Sequence, residues 1–454
     1  MGSGPVMRTL VFMSVPAIAM AVSNTLCHLI DTIFVSWLGE AHILAISFTF
    51  PVQIGIFAVL EGVGNGVTSL VARRLGANRL FEARNIAIAG IAFAYALSML
   101  FIPIMIPGFS DRLFTALGAK NADVLRYIWL YNVWVPPTIV AICYGFMCNC
   151  MFRCQGNTVV PLIYMLVTNI TNLVLDPIFI FTFDWGITGA SAATFLSRIA
   201  GGAYVMKKLQ TDSDIRIPLK PYFRVRMLKT WAKIFSVGLP VTISTGSVAL
   251  GMGTVNKILA GAYGPQAVAG WMVGIRVEDL AGNTIMGIQN ALVPFLGFNY
   301  GRRDLPRMKQ GITAACKIVA AFTGTLMLII FLFPHPAIAL FRPSAAIAAI
   351  AAQSIRITFI GYPAAAFSLI INCLFTSTGH TIYGMIVQIM RSLVFRIFAI
   401  SFLASRVSVH GVWWFQPIAF TGAALVSLFF ASVLMRKLKR DLGDDGKTWL
   451  ELLK

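Results

Sequence analysis

Apolar positions along this chain fall into twelve runs separated by short polar breaks. The runs lie near residues 9–38, 48–72, 86–109, 124–152, 160–182 and 187–209, then 231–262, 268–298, 311–334, 347–377, 382–405 and 409–436. About 20 consecutive apolar residues are what an α-helix needs to cross the hydrocarbon core of a bilayer. The pattern therefore predicts an all-α integral membrane protein of twelve transmembrane helices. The longest polar stretch, 208–230, divides the chain almost in half. It predicts an N-terminal six-helix lobe over 1–209, a cytoplasmic linker over 210–230, a C-terminal six-helix lobe over 231–437 and a cytoplasmic tail over 438–454.

The two halves read as repeats. Gly76-Ala77-Asn78-Arg79 after the second run aligns with Gly301-Arg302-Arg303-Asp304 after the eighth. Phe114 aligns with Phe341, Pro136 with Pro363, Asn149-Cys150-Met151-Phe152 with Asn372-Cys373-Leu374-Phe375, and Gly156 with Gly379. Each half holds an even number of spans, so the repeats share one orientation. The expectation is two pseudo-symmetric six-helix lobes related by an axis along the membrane normal, an arrangement used by transporters.

Composition supports the membrane reading. The 454 residues are 58% hydrophobic and 12% charged, against about 25% charged in soluble domains. The net charge of +19 would suit a nucleic-acid partner in a soluble chain, but here the bases flank apolar runs and the positive-inside rule accounts for them. Arg73, Arg74, Arg79, Arg84, Arg153, Lys207 to Lys233, Arg302, Arg303, Arg307 and Lys309 follow even-numbered runs, and Arg436, Lys437, Lys439 and Arg440 end the last. The opposite breaks hold only Arg112, Lys120, Arg342 and Arg406. Both termini are expected in the cytoplasm of a multi-pass protein of the cell membrane. Met1 to Pro5 reads as a short tail or an expression scar, and the first run is too long for the apolar region of a cleavable signal. The seven cysteines sit nearly all in apolar runs, match no zinc spacing and imply no disulfide framework.

Against this background a few intramembrane polar groups stand out. An ionised Asp at membrane depth costs about 2.5–3.5 kcal/mol on insertion scales, so Asp31 in the first run must be paired, neutralised or used. Asp176, rising through the fifth run, reaches a similar depth, with Asn172 one helical turn before it on the same face. Thr194 descends to that level in the sixth run. Two neighbouring carboxyl groups do not readily ionise together, so such a pair is suited to holding and releasing a proton. The structural alternative is an acid locked in a fixed pair, for example with His28 one turn from Asp31. His28 is also a candidate relay, its charge changing in the working pH range.

Glu61 lies midway along the second run in Leu60-Glu61-Gly62-Val63-Gly64-Asn65-Gly66. Its glycines permit close helix approach, and the stretch is no phosphate loop, because no P-loop Lys follows. Glu61 is either a cavity acid or a structural partner for a base. The second half has another character. Lys257, Arg356, Arg391 and Arg396 lie in or near its spans, while Arg276, Glu278 and Asp279 cluster in the eighth. Arg276 and Glu278, two apart, point to different helix sides, and Glu278 or Asp279 is expected to pair with one of the other bases. The surplus of bases also suits an anionic substrate. Trp129, Trp134, Trp271, Trp413 and Trp414 fall near span ends, as an interfacial belt would place them.

The chain resembles multidrug and toxic compound extrusion (MATE) transporters over essentially its full length. The matching pieces are Pro16…Asp31-Thr32…Leu38-Gly39, Ala72-Arg73-Arg74-Leu75-Gly76, Arg153-Cys154-Gln155-Gly156-Asn157, Asn172…Asp176-Pro177, Arg276-Val277-Glu278 and Gly297-Phe298-Asn299-Tyr300-Gly301. The resemblance implies two six-helix lobes that expel amphipathic organic cations in exchange for H⁺ or Na⁺. The first-lobe acids resemble those of the DinF-like branch. That implies cation coupling at Asp31, Asp176, Asn172, Thr194 and Asn149, with Na⁺ at Asp31 and Asp176 as the alternative to a proton. Cys27, one turn before Asp31, departs from the Tyr common in relatives.

The expected function is proton-coupled antiport of small amphipathic compounds by alternating access, by a monomer in the bilayer with no cofactor beyond the coupling ion. The rivals are a flippase for a lipid or polysaccharide precursor and an exporter of anionic substrates. No catalytic, nucleotide-binding or resident-metal constellation occurs at usable spacing, so no enzyme is expected.

Overall fold

The computed structural model describes residues 1–116, 119, 121–211, 227–341 and 343–442. Most of the expected linker, the end of the tail, and Lys120 and Arg342 among the outer bases lie outside the described residues. Each apolar run is helical. Span 1 is Val6–Ser36, span 2 Glu40–Gly76 and span 3 Leu80–Ser98 with a 3₁₀ continuation to Met105. Span 4 comprises Ala122–Asn132 and Val135–Cys154, span 5 is Val159–Pro177 with a π turn over Ile178–Thr182, and span 6 is Gly186–Thr211. Spans 7 to 10 are Met227–Tyr263, Pro265–Gly301, Leu305–Leu332 and Ala345–Thr378. Span 11 runs Thr381–Ile389, a π turn Met390–Phe395, then Arg396–Ala404, and span 12 joins Val409–Val412 to Phe415–Leu442.

Among the described residues ten stretches are long and apolar enough to cross a membrane by length and composition alone. Spans 6 and 8, of 26 and 37 residues, are also long enough to cross but carry more polar positions, among them Arg198 in one and Arg276, Glu278 and Asp279 in the other. A polar residue is costly at membrane depth and persists where it faces protein or a water-filled cavity.

Contacts divide the chain into two compact units, Met1–Ile18 with Pro240–Lys454, and Ala19–Leu239. The first half of span 7 thus packs with spans 2 to 6. Its seam with span 2 is built from glycine: a Cβ on Gly66 would meet the Ile234 carbonyl oxygen at 2.6 Å, and one on Gly238 would meet the Gly62 carbonyl oxygen at 2.6 Å. Absent side chains let the two backbones touch. Trp231 Nε1 donates to the Ala89 carbonyl at 2.9 Å and ties the same helix to span 3.

The repeat is written into the backbone of each unit. Asn78 and Arg303, third residues of the aligned four-residue motifs, are both left-handed, with φ of 58° and 61°. Gly156 and Gly379 end spans 4 and 10 at φ of 83° and 82°, and Gly39 and Gly264 separate spans 1–2 and 7–8 at φ of 115° and 81°. L-residues avoid this region, which explains glycine at four of the six positions. Short helices Pro107–Ala116 and Pro334–Ala339 follow spans 3 and 9 in both units. The aligned prolines differ in effect: adjacent Pro136 and Pro137 remove two backbone donors and span 4 breaks just before them, whereas lone Pro363 stays inside an unbroken span 10.

The cysteines are free. Cys143, Cys148 and Cys154 belong to the core of spans 2 to 6 and Cys150 is fully buried beside it. The interfacial-belt reading fails for two tryptophans. Trp271 and Trp413 are completely buried and pack with Val255, Leu259, Ile400 and Phe415 in a core of the other unit. An aromatic side chain buries 150–250 Å², and a position near a span end does not stop a neighbouring span from covering it. Trp414 remains exposed.

Candidate functional site

Spans 1 and 5 meet through a ladder of polar side chains. On span 1 the rungs are Ser23, Cys27 and Asp31, spaced by four; on span 5 they are Asn169, Asn172 and Asp176, spaced by three and four. Both spacings keep a row on one helix face. Asn169 Nδ2 donates to Ser23 Oγ at 2.9 Å. Cys27 Sγ donates to Asn172 Oδ1 at 3.2 Å and lies 3.9 Å from Asp31 Oδ1. Asn172 Nδ2 donates to Asp176 Oδ1 at 3.0 Å. Residue numbers rise together on the two sides, so the spans run parallel, as two odd-numbered spans must.

The top rung is a carboxyl pair. Asp31 and Asp176 lie within hydrogen-bond reach of one another, and Asp176 is 1% exposed. Its Oδ1 accepts from Asn172, and its Oδ2 has no hydrogen-bond partner among the described residues. Two carboxyl groups hydrogen-bond only when one carries a proton. The alternative, two unit charges about 4 Å apart at an effective dielectric of about 20, would cost about 4 kcal/mol. The arrangement is thus chemically suited to holding one proton between two helices. Asp31 stands a turn and a half from the end of span 1, and Asp176 directly before Pro177 and the π turn. Gly189 of span 6 seats that turn, since a Cβ there would meet the Phe179 carbonyl at 2.7 Å.

Thr194, Asn149 and Glu61 stand apart from the ladder, whereas His28 lies in the field of Asp31. Thr194 Oγ donates to the Ala190 carbonyl of its own helix at 3.0 Å. Asn149 is buried with Oδ1 unpartnered. The His28 ring makes no hydrogen bond among the described residues; only its backbone carbonyl accepts, from Thr32 Oγ at 2.8 Å. Glu61 is half-buried in the glycine seam, and its backbone carbonyl accepts from Asn65 Nδ2 at 3.0 Å.

Three neighbours were not legible as site residues. Arg198 of span 6 lies in the electrostatic range of Cys27, His28 and Asp31, with Nε buried and unpartnered and one terminal nitrogen 4.0 Å from Met165 Sδ. Tyr131 of span 4 lies in range of both acids and accepts from Gln53 Nε2 of span 2 at 3.4 Å. An Arg one turn beyond Thr194 was the available signal. Cys27 also takes a larger part than its reading as a departure allowed, because its thiol supplies the rung that a hydroxyl would.

In the other unit the expected pairing of Glu278 or Asp279 with a base is not met. Among the described residues neither carboxylate has a basic nitrogen within 4.0 Å. Arg276 and Asp279 are exposed on one side of span 8 and in each other's field. Glu278 projects elsewhere, towards Thr358 and Arg396. Lys257 and Arg356 are exposed.

The sequence matches the MatE family over residues 16–178 and 240–400. Multidrug export protein MepA of Staphylococcus aureus (strain bovine RF122 / ET3-1) is 25% identical over 450 residues, covering 97% of this chain and 96% of that protein. MepA of Staphylococcus saprophyticus is 25% identical over 443 residues, covering 96% of each. A MOP superfamily transporter from Pyrococcus furiosus superposes with a TM-score of 0.88 at 27% identity, covering 96% of this chain and 97% of that one. The family match spans both units and most of the twelve helices, and the chain accordingly belongs to the MatE family of multidrug efflux transporters, and is not an enzyme.

Proposed function

We propose that this transporter expels amphipathic organic cations across the cell membrane in exchange for protons, with Asp31 and Asp176 as the coupling pair. The observation that carries the reading is the carboxyl–carboxyl rung between spans 1 and 5. A proton there is the bond between the helices, so gain or loss of protons and the fit of the two spans are linked. Filling both carboxyl groups from the outer side changes the ladder and lowers substrate affinity; release to the cytoplasm restores it. Alternating access then follows from which state binds substrate better.

Asn172 favours a proton over Na⁺ as the coupling ion. Its amide nitrogen faces Asp176 and its oxygen is already engaged by the Cys27 thiol, whereas Na⁺ would need oxygens turned towards it. The bases after even-numbered spans support a cytoplasmic position for both termini, and with that orientation the acid pair lies in the outer half of the bilayer.

The test is uptake of a lipophilic cation into inside-out vesicles driven by an imposed pH gradient. Wild type is expected to concentrate the cation in Na⁺-free buffer, and an Asp31→Asn, Asp176→Asn double variant to equilibrate it without concentrating it. Full accumulation by the double variant would refute the assignment.

A further inference from the structure

Span 11 carries two arginines that nothing above uses. Arg391 lies within the π turn Met390–Phe395 and Arg396 directly follows it. The i→i+5 bonding of a π turn sets residues five apart one above the other, and the two guanidinium groups lie in each other's field. Arg396 is 8% exposed, and Nε of both side chains is buried and unpartnered. Neither donates a hydrogen bond to a described residue.

The turn that holds them is fixed on two sides. A Cβ on Gly251 of span 7 would meet the Ser392 carbonyl oxygen at 2.3 Å, and one on Gly422 of span 12 would meet the Phe395 ring at 2.8 Å. Gln388 Nε2 donates to Ser392 Oγ at 3.2 Å across the turn. π turns that interrupt α-helices are frequent at functional sites, and this one is seated by close packing against Gly251 and Gly422.

Neither arginine is ion-paired among the described residues, although Glu278 and Asp279 both lie in the field of Tyr362 beside Arg391. The nearby carboxylate is Glu278, whose Oε1 is itself unpartnered and which makes no ion pair within 4.0 Å among the described residues. Tyr362 stands beside Arg391. Ala399 and Ile400, one turn past Arg396, pack into the aromatic core of Trp271, Trp413 and Phe415. Two adjacent cations, Arg396 buried and Arg391 half-buried, each with a buried unpartnered Nε, are suited to receive an anion, and arginine forks match planar or tetrahedral oxyanions.

We propose that Arg391 and Arg396 form a binding site for an anionic group (carboxylate, sulfonate or phosphate) on an amphipathic substrate, with Glu278 as the internal competitor for Arg396. The transporter then accepts zwitterionic amphiphiles, cationic at one end and anionic at the other, in preference to simple cations. This deepens the export reading above and rests on it.

The test uses two dyes that differ in one group: rhodamine 110, which carries a free carboxylate, and rhodamine 123, its methyl ester. Dissociation constants are read by fluorescence polarisation on the full chain in nanodiscs. Wild type is expected to bind the acid about tenfold or more tighter than the ester, the value of one or two charge-assisted bonds. Arg391→Gln, Arg396→Gln is expected to remove that preference while leaving the ester within about twofold. Glu278→Gln, a milder change, is expected to tighten the acid several-fold and leave the ester unchanged. Equal binding of acid and ester by wild type, or a preference that survives loss of both arginines, overturns the site alone. Binding of neither dye overturns the reading of the chain as an exporter of aromatic amphiphiles, and the site with it.

Discussion

Replacing Gly238 by alanine is expected to destabilise the unit that carries the acid pair. The added Cβ would sit 2.6 Å from the Gly62 carbonyl oxygen, 2.9 Å from its carbonyl carbon and 3.3 Å from the Val63 nitrogen. All three are backbone atoms and none can rotate away, so span 7 must move off span 2 by several tenths of an ångström. Overpacking of this kind costs about 1–3 kcal/mol. By the scaling for units of 150–250 residues that is about 2–12 °C in thermal midpoint. Gly66→Ala meets the Ile234 carbonyl in the same way, and because the sites share one seam their effects should not add. Gly55→Ala on the same helix is the control, since nothing lies within 4 Å of its Cβ; a helical Gly→Ala change there should be neutral or stabilising by up to about 1 kcal/mol. The assay is thermal unfolding in detergent followed by tryptophan fluorescence, with Trp231 reporting from the seam. A Gly238→Ala midpoint equal to or above that of Gly55→Ala would refute the close-packing argument.

Cys27→Val removes the donor to Asn172 Oδ1 at nearly constant size; interhelical hydrogen bonds in membranes average about 0.6 kcal/mol and reach about 1.7. Coupled uptake is expected to fall by up to about tenfold, and Cys27→Ser to retain it. Trp271→Ala and Trp413→Ala each empty a fully buried aromatic position and should cost about 3–5 kcal/mol, read as lost folded yield, whereas exposed Trp414→Ala should keep yield near wild type. Arg307→Gln removes donors to the carbonyls of Met1, Ser3 and Gly4, so hydrogen exchange at residues 1–10 should quicken while transport persists.

What was legible in the sequence followed from periodic or local physics. Twelve apolar runs became twelve spans because bilayer thickness sets helix length, and the aligned motif ends at Asn78 and Arg303 became matching left-handed turns. Asp31, Asn172 and Asp176 stood out because carboxyl and amide groups are rare at membrane depth. Arg198, Tyr131 and Gln53 did not, because their meaning comes from helices far apart in the chain approaching the acids. Cys27 read only as a departure from the Tyr common in relatives until its thiol lay 3.2 Å from Asn172 Oδ1. Hydropathy also cannot tell which side of a tryptophan meets lipid, so Trp271 and Trp413 were assigned to the wrong environment. Conversely, Glu278 and its basic neighbours read as a paired cluster from counting charges, yet none of them comes within 4.0 Å of another as an ion pair among the described residues.

The most direct measurement of the central claim is proton release on addition of tetraphenylphosphonium to proteoliposomes, for wild type and Asp31→Asn, with and without Na⁺. The account predicts a pulse of protons from wild type that is indifferent to Na⁺ and absent from Asp31→Asn. A pulse of equal size from Asp31→Asn, or transport that requires Na⁺ and moves no protons, would contradict it.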